Sequence, residues 1–267
     1  MEQAVEQVKP GTEHNVRGIS GSTLKIIAMA CMLIDHFAAS VLATIVMQMH
    51  GTISIDDAAK YPLVIIYLVM RIIGRISFPI YIFLVVEGMR HTHDRYRYFG
   101  RMAVFALISE IPFDMAFNIT RQQAMGGRIY ELNSQNVFFT LAIGLLALIV
   151  IRKLQEMSIA EAVRGIAVVL VTAAGMGLAY CLKTDYAGIG VLAIVIMYLL
   201  RDSRGKTAAT ASTCTSLLLA GVLEIGAYMA VLPISFYNGK KGINLKYIFY
   251  AYYPMHLLLL GLVRIFF

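Results

Sequence analysis

Several ionisable and hydrogen-bonding residues of this chain stand inside long apolar stretches, where a charge is costly and its presence needs a reason. Lys25, Asp35 and His36 fall in the first stretch, Arg71, Arg75 and Glu87 in the second, and Glu110 and Asp114 in the third. Asn136 and Asp185 follow, and Tyr253 and His256 sit in the last. His36 has the chemistry of a general base, since an imidazole exchanges protons near neutral pH. Lys25 and His36 are 11 residues apart. On a helix that spacing brings them within about 20° of alignment, with about 16 Å of rise between them. Both then line one cavity at different depths. The plainer reading has His36 bonded to a neighbouring helix and Lys25 reaching for the membrane surface. Asp35 points about 100° away from His36, towards a different partner.

Arg71 and Arg75 are four apart and share a helix face, as do Glu110 and Asp114. Two readings stand for them. The two couples neutralise each other as structural ion pairs, or the arginines grip a phosphate with forked hydrogen bonds. Tyr253 and His256, taken alone, read as interfacial aromatic packing.

The elements that must position these groups are membrane helices. Of 267 residues, 59% are hydrophobic and 15% charged, against about 45–50% and 25% in soluble domains. Apolar runs cover 23–49, 61–89, 98–118, 135–151, 163–182, 186–200, 207–236 and 247–267. A crossing takes about 20 residues. The fold expected is an all-α polytopic transmembrane bundle with about 8–10 crossings, spanning 23–267 after a polar segment, 1–22. The net charge of +7 comes from 23 basic and 16 acidic residues. The basic residues cluster between apolar runs, which favours membrane topology over nucleic acid as the reason for the charge.

Segment 90–101 carries net +3 and 201–206 net +2, whereas 50–60 carries net −1. The positive-inside rule then puts the N-terminus and the basic segments in the cytoplasm, with the chain in the cytoplasmic (inner) membrane. The run 207–236 either crosses once, leaving Lys240, Lys241 and Lys246 outside, or breaks into shorter or re-entrant pieces that return them. Cys31, Cys181 and Cys214 are odd in number and lack a CxxC spacing, and His91 and His93 lack ligating neighbours. No metal site is expected.

The residues also carry a resemblance. Leu24-Lys25 through Asp35-His36 resembles the opening helix of the TraX family, named for a conjugative pilin acetylase. The stretch Arg71 to Phe83 with Glu87-Gly88 resembles its second motif. Ser109-Glu110-Ile-Pro112, Asn136 to Thr140, Asp185 to Gly190, Tyr237 to Gly242 and Tyr253-Pro254-Met-His256 are similar to later ones. A more distant resemblance is to the acyltransferase-3 superfamily. It implies an acetyl-CoA-dependent membrane acyltransferase, moving an acetyl group from cytoplasmic acetyl-CoA to an amine or hydroxyl acceptor. No metal is implied. On that reading His36 is the base, and Asp35 beside it orients another group or steadies the helix. Lys25, Arg71, Arg75, Lys240 and Lys241 hold the coenzyme. Tyr253, His256 or Asn136 faces the oxyanion. Glu87, Glu110, Asp114 and Asp185 form structural ion pairs or the acceptor side.

Two rival classes remain beside it. One is a small transporter or flippase, for which buried charges on adjacent spans also speak. The other is a non-catalytic membrane partner of a pilus or secretion assembly.

Overall fold

The computed structural model describes residues 18–51, 53–243 and 246–266, without the side chains of Ala59 and Lys246. Most of the expected N-terminal segment therefore lies outside the described residues. The chain is a bundle of helices, as its apolar runs require, and no strand forms among the described residues.

Helix α1 (Gly21–Phe37) starts at Ser20, whose hydroxyl accepts from the Thr23 backbone N–H at 3.3 Å. The N–H groups of Gly21 and Ser22 donate to the carbonyls of Lys240 and Lys241 at 2.8 and 3.0 Å. A loop distant in sequence thus satisfies donors that a helix start leaves open. Just after His36 the helix widens into a π turn, Ala38–Leu42, and continues as α2 (Ala43–His50).

The second run is divided into α3 (Pro62–Gly74) and α4 (Ser77–His91). Pro79 has no N–H for the carbonyl of Arg75 and its ring crowds that carbonyl, so the helix breaks four residues upstream. There follow α5 (Arg95–Phe117), the short α6 (Arg121–Met125), α7 (Val137–Glu156), α8 (Glu161–Cys181) and α9 (Ala187–Ser203). Last come α10 (Gly205–Leu217), α11 (Val231–Ser235) and α12 (Lys246–Phe266).

Contacts between the connecting segments define two ends. At one, Arg90 pairs with Asp202 at 2.6 Å, Lys153 lies 5.4 Å over the Tyr96 ring, and Tyr198 donates to Gln155 at 3.0 Å. The Lys206 ammonium also donates to the Tyr237 carbonyl, and Ile19 bridges to Tyr237. This basic end collects the segments that the charge count groups together. At the other, Asn118 donates to Ser134 at 2.9 Å, Gln135 bridges to Thr184, and Arg264 donates to the Ala116 carbonyl at 3.1 Å.

Between the ends run α1–α2, α3–α4, α5, α7, α8, α9 and α12. Among the described residues, five helices are long and apolar enough to cross a membrane: Gly21–His50, Pro62–His91, Val137–Glu156, Glu161–Cys181 and Tyr247–Phe266. The run 207–236 breaks, which was one of its two expected outcomes. After α10 come a 3-10 turn (Leu218–Ala220), Gly221, a second 3-10 stretch (Val222–Ala230) and α11. Because Lys206 meets Tyr237, the chain leaves and rejoins the same end. The run is a re-entrant hairpin, and it carries Lys240 and Lys241 to the basic end.

The hairpin packs on α3 through Gly226. A Cβ added there would fall 2.2 Å from the Ile72 carbonyl oxygen, a backbone atom that cannot swing away. Gly177 on α8, by contrast, has nothing within 4 Å of an added Cβ. We expect Gly226→Ala to lower stability by roughly 1–3 kcal/mol through overpacking, whereas Gly177→Ala leaves it unchanged or raises it. Thermal unfolding of the detergent-purified protein checks both. Equal midpoints for Gly226→Ala and the parent would show that the hairpin is not seated on α3.

Candidate functional site

Midway along the bundle a cluster of charges is assembled from four elements. Asp35 projects from α1 towards the end of α3, where Gly74 leaves room: a Cβ at that glycine would lie 2.2 Å from the Asp35 Cβ. Asp35 Oδ2 accepts from Arg71 Nη1 at 2.8 Å, and Oδ1 accepts from Arg75 Nη2 at 3.1 Å. Arg75 Nη1 donates at 2.8 Å to Glu224 Oε1 of the hairpin and at 2.8 Å to the Tyr186 hydroxyl. Arg75 and Glu224 are 9% and 5% exposed. At these depths each arginine needs a carboxylate, and two guanidiniums meet two carboxylates.

Tyr186 reaches Arg75 from the start of α9. It takes a left-handed conformation with φ of 60° and stacks on Phe78 with centroids 3.9 Å apart. A tyrosine held there costs about 1–3 kcal/mol, which the packing and the hydrogen bond must offset. The preceding residue, Asp185, accepts the Tyr186 backbone N–H at 3.0 Å.

Next to Asp35 on α1, His36 turns to another side of the helix, and its Nδ1 lies 2.7 Å from His256 Nε2 of α12, the rings parallel within 8°. His256 Nδ1 lies 2.7 Å from the Tyr252 carbonyl, which can only accept. In the neutral pair, therefore, Nδ1 of His256 carries the proton and its Nε2 accepts from Nδ1–H of His36. This leaves the lone pair of His36 on Nε2. Tyr253, 3% exposed, packs edge-on against His36 at 6.0 Å and Phe138 at 4.7 Å.

The remaining sequence candidates disperse. Asn136 caps α7: its Oδ1 accepts from the Phe138 N–H at 3.1 Å, and its Nδ2 donates to the Ala106 carbonyl at 2.8 Å and to Glu110 at 2.5 Å. Asp114 accepts from Asn118 at 2.6 Å and from the Glu131 N–H at 2.7 Å. Glu87 accepts from Arg90 at 3.0 Å and Arg201 at 2.9 Å near the basic end. Lys25 and Lys241 line a cavity at that end, whereas Lys240 is exposed outside it.

Two expectations need correction. Arg71 and Arg75 do not pair with Glu110 and Asp114, because α5 packs chiefly on α12 and α7, away from α3. Asp35 and Glu224 engage both guanidiniums, so the arginines are not the open anion pair expected, although the Arg71 Nε is buried without a hydrogen-bond partner. Sequence reasoning placed Glu224 and Tyr186 in apolar runs without a role. Glu224 had a signal, a carboxylate inside a hydrophobic stretch, whereas nothing local marked Tyr186 as the partner of Arg75.

A helical bundle with a buried ion cluster, and with no sizeable soluble domain among the described residues, defines an integral membrane protein that contacts lipid. Residues 20–264 match the family described as TraX protein. With that match covering nearly the whole chain, the protein belongs to the TraX family. It is also similar to a protein of Dichelobacter nodosus named "Probable fimbrial assembly protein FimC, serogroup H1". The two are 27% identical over 263 residues, covering 92% of this chain and 96% of that one. No solved structure matches.

These findings overturn the acetyl-transfer expectation. The comparisons lead to TraX and to a fimbrial assembly protein, and neither indicates an enzyme.

Glu224→Gln would keep the shape and hydrogen-bonding capacity but leave the cluster one positive charge in excess. Removing one partner of a buried pair costs about 3–5 kcal/mol. We expect a large fall in the unfolding midpoint in detergent, with new labelling of a cysteine placed at Tyr228. An unchanged midpoint would show that another group supplies the counter-charge.

Proposed function

We propose that this chain is a multi-pass membrane component of fimbrial or pilus assembly, as the rival reading of its sequence allowed. The observation that carries this is the similarity to the fimbrial assembly protein, which extends over 96% of that protein's length. Such a match takes in the buried cluster, the re-entrant hairpin and the last helix together.

The architecture fits a role carried out within the bilayer. Helices and short connections make up the described residues, so partners in an assembly would be met through helix faces or through the two ends. Positive charge is concentrated at the end holding Arg90, Arg95, Arg97, Arg101, Arg201, Arg204 and Lys206. Our reading puts that end in the cytoplasm and the chain in the inner membrane. The opposite end, with Asp56, Asp57 and Glu131, then faces out.

Deletion of the gene from a fimbriated host is the direct test. Surface fimbriae, counted by electron microscopy, should fall sharply and return on complementation, while the fimbrial subunit still accumulates in the cell. Normal fimbriation in the deletion strain would sink the proposal. For orientation, cysteines introduced at Asp94 and Asp56 separate the two sides. An impermeant maleimide on intact cells should label position 56 and spare position 94, and the reverse pattern would invert the topology.

A further inference from the structure

At the basic end, α1, α4, α5, α7 and α12 enclose a cavity of about 280 Å³ with the loop that follows Tyr237. This is close to the roughly 300 Å³ at which ligand pockets begin, and is too large for a single ion. Three cations line it: Lys25 from α1, Arg101 from α5 and Lys241 from the loop. No carboxylate does. At the same end, Arg90 and Arg201 are answered by Glu87 and Asp202, and Arg97 by Asp94. Among the described residues, none of the ion pairs includes Lys25, Arg101 or Lys241.

Aromatic faces stand where counter-ions would be expected. Lys25 Nζ lies 4.8 Å over the Phe249 ring, and the Arg101 guanidinium lies 5.9 Å over Tyr98. The Arg101 Nε is buried without any hydrogen-bond partner. An orphaned, buried guanidinium N–H costs free energy unless a ligand meets it. The rest of the lining is apolar and includes Leu84, Met102 and Leu141. Three unanswered cations ask for an anion, and the apolar wall asks for a hydrophobic group attached to it.

We propose that this cavity binds a phosphate-bearing amphiphile, its phosphate held by Lys25, Arg101 and Lys241 and its apolar part against the aromatic wall. Phosphate fits the forked donors of arginine and the point charges of lysine. Two sources offer that chemistry, an anionic phospholipid headgroup and a soluble phosphate compound. The cavity lies at the end of the membrane helices, at headgroup level, which favours the lipid. The inference does not depend on a role in fimbrial assembly.

The test measures thermal unfolding of the full-length protein in detergent, with phosphatidylglycerol, phosphatidylcholine or inorganic pyrophosphate added. Phosphatidylglycerol should raise the midpoint in a saturable way, and phosphatidylcholine should not. Lys241→Ala, in an exposed loop, should weaken the apparent affinity about tenfold or more, as the loss of one charge-assisted contact predicts. Arg101→Met should do the same, and if it fails to fold, Lys241→Ala alone decides. Lys240→Ala is the control, since it removes an adjacent charge that does not line the cavity. Stabilisation lost with Lys241→Ala and kept with Lys240→Ala supports the site. Pyrophosphate acting with the same dependence on Lys241 supports it and assigns the source to a soluble compound. Equal responses of both lysine variants, or no stabilisation by any phosphate, would overturn it.

Discussion

Arg75 holds the interior of this protein together. Its guanidinium sits where α3 breaks, and it bonds Asp35 of α1, Glu224 of the hairpin and Tyr186 of α9. Taking a charge of this kind out of water costs several kcal/mol even after relaxation. The cost is met only when all its partners are present at once. Elements lacking other reasons to meet are thereby brought together. The hairpin has little regular helix to recommend it, and its Glu224 gives it a fixed seat. Tyr186 is drawn into a left-handed backbone conformation by the same demand. Replacing the cluster with apolar groups would keep the packing but lose this mutual requirement.

Much of the architecture was legible because the bilayer imposes it. Runs at 98–118 and 163–182 became α5 (Arg95–Phe117) and α8 (Glu161–Cys181), shifted by only a few residues. Apolar length sets such boundaries, and the charges at helix ends confirm them. Which helix faces meet was less legible. Arg71 and Arg75 matched Glu110 and Asp114 in sign and spacing, but those patterns say nothing about the direction in which α5 turns. The true partner of Arg71, Asp35, was read as steadying something else, and it steadies both arginines. His36 and His256 were separately visible, but their mutual bond depends on the first and last helices lying side by side. The chemistry implied by the family resemblance was the part that failed, because a shared fold and shared polar positions do not fix an activity.

Irregular backbone gathers around the polar interior. The π turn follows His36, the break before Pro79 frees Arg75, and 3-10 geometry carries Glu224. Each departs from the ideal helix where a polar side chain has to be aimed inward. In lipid such departures survive because neighbouring protein, rather than hydrocarbon, surrounds the exposed backbone groups. The apolar outer faces of α8 and α12 show no comparable interruptions, with helix continuing past Pro254.

The bond between His36 and His256 joins residues 220 apart in the chain. In synthesis α1 is made first, and its imidazole lacks this partner while every intervening helix is made. Only when α12 arrives does that ring gain its neighbour, and only once the loop at Lys240 and Lys241 has been made do the N–H groups of Gly21 and Ser22 find their acceptors. The membrane domain thus closes on itself only once α12 is in place. A chain without residue 256 would therefore hold an unpaired imidazole among apolar helices, a costly state that the arrival of α12 removes.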